Sequence, residues 1–196
     1  MRRRRFEAAL FVSAAGWLGL PPLAFGQAPR SDVGVAPGSS LSDGPEGASE
    51  RAWRALRAGE AIAVFRHAQA PGTGDPPGFR LDNCATQRNL DEAGRSQARR
   101  AGAALRARRV PVAAVWSSQW CRAVETARLM DLATVEVRPE FNSFFDDRAN
   151  EAGYVQAARR ALLAFSGAGN LIVVTHQVHI TGLTGVFPAS GEAVGK

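Results

Sequence analysis

Two histidines and two arginines stand where apolar runs stop. Arg66-His67 follows Ala61-Ile62-Ala63-Val64-Phe65, and Thr175-His176 follows Leu171-Ile172-Val173-Val174. Val112-Ala113-Ala114-Val115-Trp116 ends in Ser117-Ser118, with Arg122 shortly after. A guanidinium offers a planar fork of donors that matches phosphate oxygens. A neutral imidazole can attack phosphorus and carry the phosphoryl group, and a second imidazole, when protonated, adds another donor. Phosphoryl transfer spreads negative charge over the equatorial oxygens, so its catalysis is mostly positioning and electrostatics. Arg66, His67, Arg122 and His176 therefore suit a phosphate pocket that needs no metal. No Gly-rich phosphate loop and no Cys/His zinc spacing competes with it. An isolated Arg-His pair would read more simply as a strand end bonded to backbone carbonyls; the cations at two other strand ends weigh against that. His176 and His179, three apart, lack a carboxylate or Cys at ligand spacing. We expect no metal and read His179 as a pocket-rim or surface residue.

The elements that must position these groups follow from the same runs. Short apolar runs rich in β-branched residues, each broken by polar or Gly/Pro-rich sequence, predict buried strands at 61–65, 112–116 and 171–174. Ser49 can cap a first helix carrying Trp53 and Leu56 and ending at Gly59. Asp91 starts a helix to about Arg108, with Ala93, Ala98, Ala101, Ala104 and Leu105 on its packed side. Further helices are expected from about Trp120 to Met130 and from Glu151 to Phe165, with an edge strand at 135–137 and the start of a last strand at 192–194. Alternating strands and helices predict an α/β domain with a largely parallel sheet. Ligands of such sheets bind outside the carboxyl ends of the strands. Residues 69–89 form a long loop with Pro71, Gly72, Gly74, Pro76, Pro77 and Gly78, and a loop of that length in a compact domain is usually functional.

Composition bounds the reading. The chain has 196 residues and a formal charge of +6. Removing residues 1–26 takes away Arg2, Arg3, Arg4, Arg5 and Glu7, leaving 20 basic against 17 acidic residues, a net +3. No Arg-rich patch interleaved with aromatics points to nucleic acid. Arg2 to Arg5, the apolar stretch Ala8 to Leu20, and Ala24-Phe25-Gly26 have the layout of a cleavable export signal. Arg3-Arg4-Arg5-Phe6 fits a twin-arginine signal as well as an Arg-rich general one. The expected divisions are a signal at 1–26, a Gly/Pro/Ser-rich tether at 27–47 and one domain at 48–196. The expected location is periplasmic or secreted, without membrane insertion once the signal is removed.

Four short segments, in order, carry a family resemblance. Phe65-Arg66-His67-Ala68 resembles the Arg-His-Gly signature of the histidine phosphatase (phosphoglycerate mutase-like) superfamily, and Leu90-Asp91-Glu92-Ala93-Gly94 its Leu-Thr-x-x-Gly helix start. Ser117 to Ala127 is similar to its Ser-Ser-x-x-x-Arg-x-x-Glu-Thr-Ala segment, and Val174-Thr175-His176 to its second-histidine motif. The resemblance spans residues 60–190 and implies a three-layer phosphoglycerate mutase-like domain with a mostly parallel central sheet. It implies His67 as the nucleophile that becomes phosphohistidine, with Arg66, Arg122 and His176 binding the transferred group. Two departures stand out. Ala68 replaces the usual Gly, and the family's acidic Glu aligns with Phe141-Asn142-Ser143, where there is none. Asp146, or Asp147 beside it, is the carboxylate expected to serve as acid.

Other residues have two readings. Gln87, Arg88 and Asn89, in the long loop, and Gln177, beside His176, are candidates to touch substrate, solvent exposure being the alternative for the loop residues. Glu125 can hold Arg122 or form an ordinary helix ion pair. Cys84 and Cys121, the only cysteines, form one disulfide in an exported protein or remain two unrelated thiols. Phe141, Phe144 and Phe145 read as loop packing rather than a substrate wall. The expected activity is that of a histidine acid phosphatase-type phosphomonoester hydrolase, without cofactor, acting on a small phosphorylated substrate. A phosphomutase and a phospho-ligand-binding protein without turnover are the alternatives.

Overall fold

The computed structural model describes Ala9–Phe11 and residues 48–195, so the expected signal and tether lie outside the described residues except at Ala9–Phe11. In chain order the strands are β1 (Ala9–Phe11), β2 (Ile62–Arg66), β3 (Val112–Ser117), β4 (Val135–Val137), β5 (Asn170–Thr175) and β6 (Ala193–Gly195). The helices are α1 (Ala48–Ala58), α2 (Glu92–Ala107), α3 (Cys121–Met130), α4 (Glu151–Ala164) and α5 (Gln177–Thr184). Five strands form the central sheet in the order β6-β2-β5-β3-β4, and β1 pairs antiparallel with β6 at its edge. β2, β5, β3 and β4 run parallel, while β6 is antiparallel to β2. The sheet is thus mostly parallel, as the alternation of elements predicts.

Helices cover both faces, so the strands read as continuous apolar runs rather than alternating ones. Ala63, Phe65, Val115, Ile172 and Val174 face α1, α2 and α3 through Leu56, Leu105, Ala123, Ala127 and Met130. Ile62, Val64, Trp116, Leu171 and Val173 face α4 and α5 through Ala158, Leu162, Ile180 and Leu183. At the amino ends of the strands, buried Asn170 accepts from the Ala61 N–H at 2.9 Å and donates to the carbonyls of Leu56 and Pro111, both at 2.6 Å. One side chain thereby ties the starts of β2 and β3 to β5.

Two glycines of α2 are required by close approach. A Cβ at Gly94 would collide with the Gln69 carbonyl oxygen, and one at Gly102 with that of Met130. Gly94 thus lets α2 pack on the loop that leaves His67, and Gly102 lets it pack on α3. The packed side of α2 is Gly94, Ala98, Gly102 and Leu105. Ala93, expected on that side, is exposed. Helix α5 has no counterpart among the elements the sequence predicts. Its apolar residues are crowded into eight positions with Thr181, Gly182 and Thr184 among them, so it shows no clear helical stripe.

Candidate active site

Strand register builds the site. Arg66 of β2 lies beside Thr175 of β5, and Ser117 of β3 beside Val174. The three strands therefore end together and release His67, His176 and Ser118 onto one edge. The His67 N–H donates to the Thr175 carbonyl at 2.9 Å and the Ser118 N–H to that of Val174 at 3.0 Å, extending the ladder past the strand ends. α3 starts just beyond and brings Arg122 in, buried, over the same edge.

His67 is held as a directed, neutral imidazole. Its Nδ1 lies 2.8 Å from the Ala68 carbonyl, so Nδ1 carries the proton and Nε2 keeps its lone pair. Nε2 accepts from Arg122 Nε at 3.2 Å. Burial first, then the charge of Arg122, pushes the His67 pKa down to about 3, although the Ala68 carbonyl works the other way. Ala68, where the family has Gly, is itself buried; its N–H donates to Thr126 Oγ1 at 3.0 Å, and that hydroxyl donates to the Arg122 carbonyl at 2.7 Å. Thr126 thus couples the loop that leaves His67 to the helix of Arg122. The His67 and His176 rings lie 5.4 Å apart, centre to centre. His176 Nε2 is 2.8 Å from Ser118 Oγ, and burial, then Arg122, keeps its pKa well below the ordinary value.

The long loop supplies a carboxylate that the sequence motifs do not single out. Asp75 grips Arg122 with both oxygens, Oδ1 to Nη1 at 2.7 Å and Oδ2 to Nη2 at 3.1 Å. Both side chains are almost fully buried, 4% and 3% exposed. Asp75 also accepts from the Arg88 N–H at 3.0 Å and from Trp120 Nε1 at 2.9 Å. Burial opposes its charge, but the hydrogen bonds from Arg122, Arg88 and Trp120 prevail and hold its pKa below the usual value. The sequence does carry one signal for Asp75: it is a lone carboxylate set between Gly72, Gly74 and Pro76-Pro77, in a loop whose length marks it as functional.

Arg66, His67, Asp75, Arg88, Arg122, His176 and Gln177 line one cavity of about 240 Å3, with Gly72, Thr73, Gly74, Ser143, Phe145, Val178 and Phe187. Arg66 donates to the Pro188 carbonyl at 3.0 Å, and its buried Nε has no partner. Arg88 is fixed by its Nε to the Gly74 carbonyl at 2.6 Å. Burial, then the Arg122 charge, lowers the pKa of both. Three guanidiniums face one carboxylate, leaving a net charge of +2 beside the neutral His67. A phosphate dianion is matched in charge.

Other expected residues fall elsewhere. Asp146 is exposed and does not line the cavity; Asp147 bonds Asn150 and Tyr154. Gln87 is buried away from it. Its Nε2 donates to the Arg80 and Leu81 carbonyls, and its Oε1 takes the Cys121 N–H, which serves α3 where Trp120 gives no side-chain cap. Asn89 lines a separate groove beside Cys84 and Cys121. Those cysteines are bonded, with Cα atoms 5.6 Å apart. Glu125 pairs with Arg95 at 2.7 Å, so Arg122 is held by Asp75 instead. His179 is not on the rim: it is fully buried against Phe141 and Phe144, with Nδ1 on the Asn142 carbonyl and Nε2 without a partner. Phe141 and Phe144 pack inside, whereas Phe145 lines the cavity mouth. Among the described residues no group of three or more His, Cys, Asp or Glu side chains is placed to hold a metal, and no helix is long and apolar enough to cross a membrane.

Residues 62–147 match the family model of the histidine phosphatase superfamily (branch 1). This segment belongs to the histidine phosphatase superfamily. It contains Arg66, His67, Asp75, Arg88 and Arg122, and His176 lies beyond it. Histidine phosphatase superfamily members are phosphatases and mutases. Among solved structures, a candidate phosphohistidine phosphatase SixA from Nakamurella multipartitia is 22% identical, over 63% of this chain and 62% of that one, with a TM-score of 0.46. The protein histidine phosphatase SixA complexed with tungstate is 17% identical, over 68% of this chain and 85% of that one, with a TM-score of 0.46. A mycobacterial glucosyl-3-phosphoglycerate phosphatase is 18% identical, over 63% and 76%, with a TM-score of 0.46. The chain spans 62% of the length of the first of these. No curated protein matches.

Proposed function

We propose that the chain hydrolyses phosphomonoesters through a phosphohistidine on His67, without a metal, after export directed by residues 1–26. The observation that carries this is the state of His67: Nδ1 is occupied by the Ala68 carbonyl, Nε2 is unprotonated, and Nε2 opens onto a cavity lined by Arg66, Arg88, Arg122 and His176. In the first step Nε2 gives its pair to phosphorus, and the ester P–O bond breaks with its pair on the leaving oxygen. The arginines hold the three equatorial oxygens, and His176 joins them as a donor once an anion raises its proton affinity. In the second step water attacks, the P–N bond breaks, and Nε2 leaves as neutral imidazole. The water protons go to the released phosphate, which passes one to the departed oxygen.

No protonated carboxyl lines the cavity among the described residues, since Asp75 is held as a carboxylate. The reading therefore favours leaving groups that depart as stable anions, such as aryl, acyl or anhydride oxygens. The test is phosphate release from an aryl phosphate by the full chain, with and without EDTA, beside His67→Ala. Release that resists EDTA and falls by roughly 10⁴-fold or more in the variant supports it. An equally active variant sinks it, and so does a protein that binds phosphate but never releases it from an activated ester.

A further inference from the structure

Asp75 does more than neutralise a buried arginine. It occupies the two terminal nitrogens of Arg122, the end by which a guanidinium usually clasps an oxyanion in a fork. Only the Nε edge is then turned to the reacting centre, where it meets His67 Nε2 at 3.2 Å. A phosphoryl group arriving at Nε2 would take that Nε–H over from the imidazole as the bond to Nε2 forms. Asp75 is in turn fixed from two directions, by the Trp120 indole and the Arg88 N–H. These are not neighbours by chance. The Cys84–Cys121 bond joins the loop carrying Asp75 and Arg88 to the residue before Arg122. The loop, the carboxylate and the arginine form one braced unit, set against the histidines of the strand edge.

We propose that Asp75 is the positioning residue of this site: it aims Arg122 edge-on at the phosphoryl group and keeps the pocket at two positive charges, so that a dianion is held without being trapped. This rests on the phosphatase reading above, and it deepens that reading by naming the residue that sets the charge and the aim of the pocket. Three guanidiniums without the carboxylate would carry +3 and bind ground-state phosphate more tightly. A guanidinium freed from its clamp would also turn its fork to the anion, favouring the bound state over the transition state. Removing Asp75 therefore moves binding and turnover in opposite directions. A carboxylate with a merely structural role would move them together, both downwards.

The test compares the full chain with Asp75→Asn and Asp75→Glu. Inorganic phosphate binding is measured by calorimetry and hydrolysis of an aryl phosphate by its separate kcat and KM. Asp75→Asn is expected to bind phosphate on the order of tenfold more tightly, as one less negative charge faces the anion, while kcat falls on the order of 100-fold through lost alignment. Asp75→Glu keeps the charge but displaces the grip: phosphate affinity should stay near that of the parent while kcat still falls. Loss of both affinity and kcat in a folded Asp75→Asn overturns the proposal, as does an unchanged kcat in either variant. If Asp75→Asn does not fold, the Asp75→Glu comparison decides alone. Absence of turnover in the parent chain would sink the phosphatase reading, and the phosphate-binding arm would still decide whether Asp75 sets the pocket charge.

Discussion

The pocket has two walls built by different means. One is the strand edge. His67, Ser118 and His176 are placed by the parallel register of β2, β5 and β3, and their backbones continue the ladder beyond the strands. The other is the loop at 69–89, whose regular structure is the short turn of 3-10 helix Cys84–Thr86 and an isolated bridge between Arg80 and Asn83. It is held by side chains: Asp75 to Arg122 and Trp120, Gln87 to the Cys121 N–H and to its own carbonyls, and the Cys84–Cys121 bond. The edge is rigid because it is the end of a core. The loop is rigid only because it is tied. His67 and Arg66 sit on the wall that the backbone ladder sets, and Asp75 and Arg88 sit on the wall that side chains hold.

Untying the loop should have the largest effect on stability. In the chain-entropy picture a bond across a separation of 37 residues stabilises by about 4 kcal/mol. Cys84→Ser with Cys121→Ser should lower the unfolding free energy by up to that amount in a denaturant titration, and the activity should fall with it. Under the proposed function, aryl phosphate hydrolysis should fall as well, because Asp75, Arg88 and Arg122 are aligned through this tie. A double variant with parental kcat would mean the loop holds itself, and the contrast between the walls would lose its basis.

The same contrast explains which residues are legible in the sequence. β2, β3 and β5 announce themselves as apolar runs, and each delivers its polar residues at or just past its end, so Arg66, His67, Arg122 and His176 all stand out. Burial on both faces makes these runs legible. Asp75 does not stand out, and Gln87 and Asn89 read as substrate contacts when they serve the loop and its flank. Loop geometry is set by which side chain reaches which backbone group, and nothing periodic records that. His179 reads as a rim residue because helix α5 shows no apolar stripe from which to judge its inner face. Motif position points to Asp146 as the acid; the carboxylate that enters the pocket comes from the opposite loop.

Acid should separate the walls by protonation. His67 in the fold titrates at about 3 against an ordinary 6.5. Between those values the unfolded chain holds the proton and the folded chain refuses it. Stability therefore rises with pH across that window and is level above it. Each buried histidine with a lowered pKa contributes about 1.4 kcal/mol per pH unit within its window, and His176 and His179 shift in the same direction. Asp75, lowered from an ordinary 3.8, loses its contribution only at more acid pH, as the carboxylate takes its proton. Denaturant midpoints should fall from pH 7 to pH 5 in the parent, and fall less steeply in His67→Ala. Parallel slopes for the two proteins would show that His67 is not held neutral by the strand edge.

The smallest expected effect lies at the mouth, which belongs to neither wall. Phe187 is 71% exposed and Phe145 41%, yet both line the cavity with the arginines. Neither ring is needed for the core, so removing one should leave stability within about 0.5 kcal/mol. What an exposed ring at the mouth can touch is the part of the substrate that leaves. Phe187→Ala should raise KM a few-fold for an aryl phosphate, as contact between rings is worth roughly 1 kcal/mol, and leave acetyl phosphate unchanged. Inorganic phosphate, which ends below the ring, should bind as before. If both substrates weaken equally, the ring acts through the pocket floor rather than on the leaving group. In that case selection among esters would have to come from the braced loop, and the division between a fixed edge and a tunable wall would extend to specificity as well as to charge.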